Sequence, residues 1–158
     1  MFGLFKSAPF LDPGLGELHW RRGFWRGEIA LDQGGTVSLA VSGTRKAPDA
    51  AALQAARSLA SQFPAMRPVI EAALFEHYTP YAEVVADDEA VSDETMPILG
   101  SASEVWSHVA LAHVSVSPLS GMLAIELGYN AAWDQEHTLG ARFQGDKLLE
   151  LCGSVLSP

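Results

Sequence analysis

The sequence predicts an α+β domain: an antiparallel meander of about six strands with two consecutive amphipathic helices on one face, in the order ββ-αα-(α)-ββββ. Three observations predict it. Apolar residues alternate at a period of two near the amino end and again over the last third of the chain, as in half-buried strands. Between those regions the apolar spacing changes to three and four, the period of an amphipathic helix. Short clusters of turn residues separate consecutive strand-like runs, which favours antiparallel pairing over crossovers.

The elements follow in order. Residues 1–13 carry no regular pattern and are expected to be poorly ordered, and Gly14 to Trp20 supports at most a brief edge strand. Trp25, Gly27, Ile29 and Leu31 then alternate with Arg26, Glu28 and Ala30. Asp32-Gln33-Gly34-Gly35 supplies the residues of a tight reversal, and Val37, Leu39 and Val41 alternate beyond it, so the pair reads as a β-hairpin. Pro48 and Asp49 open a helix, because proline is tolerated in the first turn and an early carboxylate suits the helix dipole. Leu53, Ala56, Ala60 and Phe63 recur at helical spacing before Pro64, which is expected to close this first helix. The second carries Met66, Val69, Ile70, Ala73, Leu74, His77 and Tyr78 on one face, and Pro80 is expected to end or kink it.

Residues 86–97 hold Asp87, Asp88, Glu89, Asp93 and Glu94 with few large apolar groups, and read as a mobile acidic loop. A calcium loop would place alternating carboxylates around a turn glycine, and no glycine lies here. Ser101 and Glu104 have the spacing of a capping box, starting a short helix with Val105 and Trp106. Three alternating runs follow, Ala110 to Ser117, Leu123 to Tyr129 and His137 to Phe143, and a last strand lies near Leu148 to Cys152.

Composition bounds the function. A chain of 158 residues is the size of one ordinary domain, and residues 1–158 are read as one. With 19 acidic and 10 basic residues the formal charge is −9, which disfavours nonspecific attraction to nucleic acid phosphates or anionic lipid. The basic knot Arg21, Arg22 and Arg26 is interleaved with Trp20, Phe24 and Trp25; in a strand its arginines face water and its aromatics the core, so no nucleic acid partner is expected. No apolar run reaches the ~18 residues of a membrane span, and the amino end lacks a signal-peptide core. The single cysteine, Cys152, cannot make an intrachain disulfide and fits a reducing compartment, so a cytoplasmic location is expected.

Glycine-rich phosphate motifs and the Gly-x-Ser-x-Gly elbow are absent from the sequence. The histidines, His19, His77, His108, His113 and His137, form no His-x-x-x-His pair, and His77 reads as a core histidine bonded to a backbone carbonyl. The segment Trp133-Asp134-Gln135-Glu136-His137 is the most chemical in character, combining an aromatic plate, two carboxylates and an imidazole. Neighbours on an extended chain point to opposite faces, however, so Glu136 and His137 cannot aim at one ligand without a bend. In the structural reading Asp134 caps the turn, Trp133 plugs the end of the core and His137 begins the strand.

That segment, continuing to Phe143, together with the Trp25-x-Gly27-x-Ile29 strand and the helix ending in Tyr78, resembles an uncharacterised bacterial domain family with a late Trp-Asp-x-Glu-His strand entry. The resemblance implies the fold and a bacterial origin. It brings no activity, cofactor or catalytic residue.

Two functions are weighed. The first is a non-enzymatic protein-interaction module without metal or cofactor, partnered by another protein or a second copy of itself; an immunity-type protein that neutralises a toxin is one such case. The net charge and the acidic loop favour it by suiting a basic partner surface. The alternative is a small hydrolase or metal-dependent enzyme centred on Asp134, Glu136 and His137, beside Trp133, with His113 or His19 arriving from a neighbouring strand.

Overall fold

Two antiparallel meanders meet at one parallel seam. A computed structural model describes residues 6–32, 35–87 and 96–158. The first meander consists of β1 (Phe10–Asp12), β2 (Gly16–Arg21), β3 (Phe24–Asp32) and β4 (Gly35–Val41). A small ladder, β5 (Gly43–Thr44) with β6 (Ala47–Pro48), leads into the helix α1 (Ala50–Asp87). The second meander is β7 (Val109–Leu119), β8 (Met122–Ala131), β9 (Asp134–Gln144) and β10 (Lys147–Val155). Among the described residues the main sheet has eight strands, in the order β1-β2-β3-β4-β7-β8-β9-β10.

The α+β class and the mostly antiparallel sheet agree with the sequence patterns, but three details differ. The strands number eight rather than about six, because β1 forms within a stretch expected to have little order and pairs with β2, which is thereby an interior strand. The central pair is parallel, with Leu39 opposite Val114 and Val41 opposite Val116. A parallel pair needs a crossover long enough to run back along the sheet, and α1 supplies it. The third difference is that one helix of 38 residues stands where two were expected.

Pro64, Pro68 and Pro80 all lie inside that helix. Its buried stripe, Ala52, Leu53, Ala56, Leu59, Phe63, Met66, Ile70, Leu74 and Tyr78, keeps its phase straight through Pro64. All three prolines are exposed, as are Ala60, Pro64 and Glu76, four residues before each of them, so the carbonyls deprived of a partner face water. Burial of the stripe outweighs a local cost of about 3 kcal/mol per proline. Pro64→Ala and Pro68→Ala are each expected to raise stability by about 1–2 kcal/mol, less than the intrinsic difference because alanine also loosens the unfolded chain. Urea denaturation of the single variants checks this.

Two hairpins reverse through residue pairs with positive φ, Arg22-Gly23 (52° and 84°) and Ser120-Gly121 (53° and 80°), the twist that matches tightly joined strands. Asp32 pairs with Gly35 across the β3–β4 hairpin, whose turn residues 33–34 lie outside the described residues, as do residues 1–5 and positions 88–95 of the acidic loop. Ala102–Ser107 is a 3-10 turn, and its Glu104 carboxylate accepts from the Ser101 N–H at 3.0 Å as the capping-box spacing predicts.

The core lies between α1 and one face of the sheet. Trp25, Leu39, Val114, Leu127, Leu139 and Phe143 point to the helix and are at most 1% exposed. Asp12 ties the sheet's first edge to the helix: its carboxylate accepts from the Arg57 guanidinium and, at 2.9 and 2.8 Å, from the Gly14 and Leu15 N–H groups. The Arg57 hydrogen bond, against the opposing effect of burial, holds the Asp12 carboxyl below the usual aspartate range.

Candidate functional site

At the β8–β9 reversal the chain does contain a bend. Asn130 pairs with Thr138, yet the next residue, Ala131, pairs with Asp134, so β9 bulges between these positions. The bulge brings His137 Nδ1 to 2.9 Å from Asp134 Oδ1, a contact that regular alternation would forbid. Helix α1 supplies the rest of the cluster. Tyr81 donates to Asp134 Oδ2 at 2.9 Å, and Trp133 Nε1 donates to His77 Nδ1 at 3.0 Å. Trp133 is 5% exposed and meets Tyr78 edge-on, with ring centroids 5.5 Å apart. His77 is therefore an acceptor for an indole, not a donor to a backbone carbonyl as the sequence suggests.

The electrostatics fit an internal tie. Burial pushes the Asp134 carboxyl up, but the hydrogen bonds from His137 and Tyr81 outweigh it and hold the group below the usual aspartate range. Tyr81 is pushed up, first by burial and then by its bond to Asp134. His77 is pushed down by burial, reinforced by His137 and opposed by the Asp134 charge. Glu136 is exposed and hydrogen-bonded to none of these residues. Among the described residues no group of three or more His, Cys, Asp or Glu side chains is arranged to hold a metal ion.

The depressed His77 value has a definite sign. Above the unfolded-state pKa of about 6.5 both states are neutral and the full stability is present; as pH falls, the unfolded chain takes up a proton that the folded chain resists, and stability is lost. A proton on His77 Nδ1 would also displace the Trp133 N–H. Between pH 7.5 and 5.5 the wild-type chain is expected to lose more stability than His77→Gln, whose amide oxygen can accept from Trp133 without titrating. Urea midpoints at the two pH values check this, and the depressed carboxylates Asp12, Glu126 and Asp134 act only at lower pH.

His113 does not join this cluster. It sits in β7 opposite Ser38, on the sheet face turned away from α1, and is 1% exposed. Its ring occupies the space over Gly128 of β8, where an added Cβ would lie 2.1 Å from the ring. His113 Nε2 meets Glu126 Oε1 at 3.2 Å, Arg142 Nε donates to Glu126 Oε2 at 2.9 Å, and Arg142 reaches Glu150 at 2.8 Å. The network thus crosses from β7 to β10. Burial pushes Glu126 up, but the bonds from His113 and Arg142 together hold it below the usual glutamate range. His113 Nδ1 is buried with no hydrogen-bond partner among the described residues. Sequence reasoning missed Glu126 and Arg142; their signal is that both fall on the helix-averse phase of alternating strands, a charge pair visible only once the register is known.

Beside His113 the same sheet face opens into a cleft of about 780 Å³, lined by residues of β2, β3, β4 and β7 and bordered by Lys6 and the segment Ser157–Pro158. Glu17, His19, Arg21, Arg26 and Glu28 project into it. His19 Nε2 lies 3.0 Å from Glu17, both side chains being more than half exposed, so His19 belongs to the cleft and not to the Asp134 cluster. Arg26 donates to the Arg21 carbonyl oxygen at 2.8 Å and to the Pro158 carbonyl oxygen.

No curated protein and no solved structure matches the chain. Among the described residues no helix is long and apolar enough to cross a membrane. Residues 14–155 match the family described as a domain of unknown function, DUF6985, and since that match covers most of the sequence the chain belongs to this family.

Proposed function

We propose that this chain is a non-enzymatic protein-interaction module whose recognition surface is the cleft on the helix-free face of the sheet. One observation carries the reading: α1 seals one sheet face, while the other retains an open cleft with charged side chains along its walls. Such a surface gives a partner both shape and polar anchoring. The partner is another protein or a second copy of this chain, and the reading extends to a bacterial, cytoplasmic protein, with an immunity-type role as the case in which the partner is a toxin. Nucleic acid and membrane are left out because the −9 charge repels both at long range.

A second reading, the hydrolase centred on Asp134, Glu136 and His137, draws support from the 2.9 Å contact between His137 and Asp134, the arrangement that orients a general base. It is the weaker one. No serine, threonine or cysteine is hydrogen-bonded to His137 among the described residues, Glu136 stands apart, and Asp134 spends its other oxygen on Tyr81.

Photo-crosslinking separates the cleft from the rest of the surface. A crosslinking residue at Ser38, in the cleft wall, is expected to give a discrete adduct in cells expressing the protein, and one at the exposed helix position Gln62 is expected to give none. Mass analysis of the adduct distinguishes a foreign protein from a second copy. An adduct at Gln62 alone would sink the proposal.

A further inference from the structure

The cleft contains a charge arrangement that the net composition hides. Arg21, Arg22 and Arg26 crowd one hairpin, and none of them is ion-paired with a carboxylate side chain among the described residues, although the chain carries 19 acidic residues. Arg57 and Arg142, by contrast, lie against Asp12 and against Glu126 and Glu150. The two carboxylates that border the cleft are already engaged, Glu17 with His19 at 3.0 Å and Glu28 with the Thr36 hydroxyl at 3.5 Å. Arg26 is pushed below the usual arginine range, first by burial and then by the neighbouring Arg21 and Arg22 charges, a repulsion that an added anion would relieve.

His113 borders this cleft with its ring packed over Gly128 and its Nδ1 closed off from the surface. In addition, the backbone at Ser157–Pro158 already lies along the cleft, and the Pro158 carbonyl oxygen accepts from Arg26. A ligand carboxylate at Arg26 would take the place of this oxygen.

From this arrangement we infer that the cleft binds an acidic peptide segment of a partner protein, its carboxylates received by Arg21 and Arg26. The inference rests on the interaction-module reading and names the chemistry of the partner. Guanidinium suits the task because its fixed fork of N–H donors matches a carboxylate. A short acidic segment is favoured over a nucleic acid because the remaining negative charge of the molecule repels an extended polyanion more than a few local carboxylates.

Isothermal titration calorimetry of the full chain reads the binding. Hexaglutamate, hexalysine, a hexathymidylate and inorganic phosphate would each be titrated at low salt into the full chain. Hexaglutamate is expected to bind, to weaken as salt rises, and to weaken by about tenfold in Arg21→Glu, an exposed position whose replacement leaves the core intact. Saturation by hexalysine or hexathymidylate without hexaglutamate binding would overturn the inference. So would phosphate binding as tight as that of the peptide, which would mark an anion subsite with no preference for a polypeptide. If hexaglutamate fails while the Ser38 crosslink still forms, the acidic-segment inference falls and the interaction-module reading stands; if the crosslink fails as well, both fall.

Discussion

Trp133→Ala is expected to lower the unfolding free energy by about 3–5 kcal/mol, the cost of emptying a large aromatic site. Three losses contribute. The indole is 5% exposed, so its removal leaves a cavity between the end of α1 and the β8–β9 turn. The edge-on contact with Tyr78 disappears, and with it support for a side chain whose hydroxyl accepts from the Leu99 N–H at 3.0 Å and donates to the Pro97 carbonyl at 2.9 Å. His77 Nδ1 also loses its donor in a place that burial makes costly. Glu136→Gln, an exposed change three residues away, is expected to alter stability by less than about 0.5 kcal/mol. Chemical denaturation of the two variants checks the contrast, and a Trp133→Ala chain as stable as the parent would show that the segment is not the tie described above.

Gly128→Ala is expected to cost about 3 kcal/mol although it adds a single methyl group. That methyl would be placed 2.1 Å from His113 Cε1 and 2.4 Å from Nδ1, and the ring has no open side into which it can retreat, being 1% exposed. Moving the ring would break its contact with Glu126 and leave a half-buried carboxylate with Arg142 as its remaining partner. Removing the obstacle should restore what the methyl takes away. The double variant His113→Ala/Gly128→Ala is expected to be more stable than the sum of the single changes predicts, by about 1–2 kcal/mol, a coupling that a double-mutant cycle measures directly. Additive effects would mean that the ring does not occupy the space over Gly128.

The strands of the second meander were legible because the alternation is long; β8, for example, keeps Leu123, Ile125, Leu127 and Tyr129 on the helix side throughout, but the β8–β9 turn was not, since β9 begins at Asp134 and not at His137 as expected. The continuous helix was not legible. Local rules stop a helix at Pro64, and only the register of the apolar stripe on either side of it shows that tertiary packing carries the helix through. The parallel seam was hidden for a related reason, since no local feature of Leu39 or Val114 reveals that the strands before and after the helix become neighbours. At the candidate site, Trp133, Asp134 and His137 were visible as a cluster, but the bulge that joins Asp134 to His137 depends on a pairing shift that alternation cannot show. Tyr81 and His77 arrive from a helix more than fifty residues earlier in the chain. The cleft was the least legible feature: Arg21 and Arg26 read as solvated charges, and their common wall with His113 exists only because β3, β4 and β7 lie side by side.

If recognition resides in the cleft while the Trp133 to His137 segment holds the fold together, the Ser38 crosslink responds differently in two surface variants. His137→Ala is expected to leave the yield of adduct unchanged, and Arg21→Glu is expected to abolish it, each in a chain whose circular dichroism matches the parent. Loss of the adduct in His137→Ala with full yield in Arg21→Glu would move the functional surface from the cleft to the Asp134 cluster.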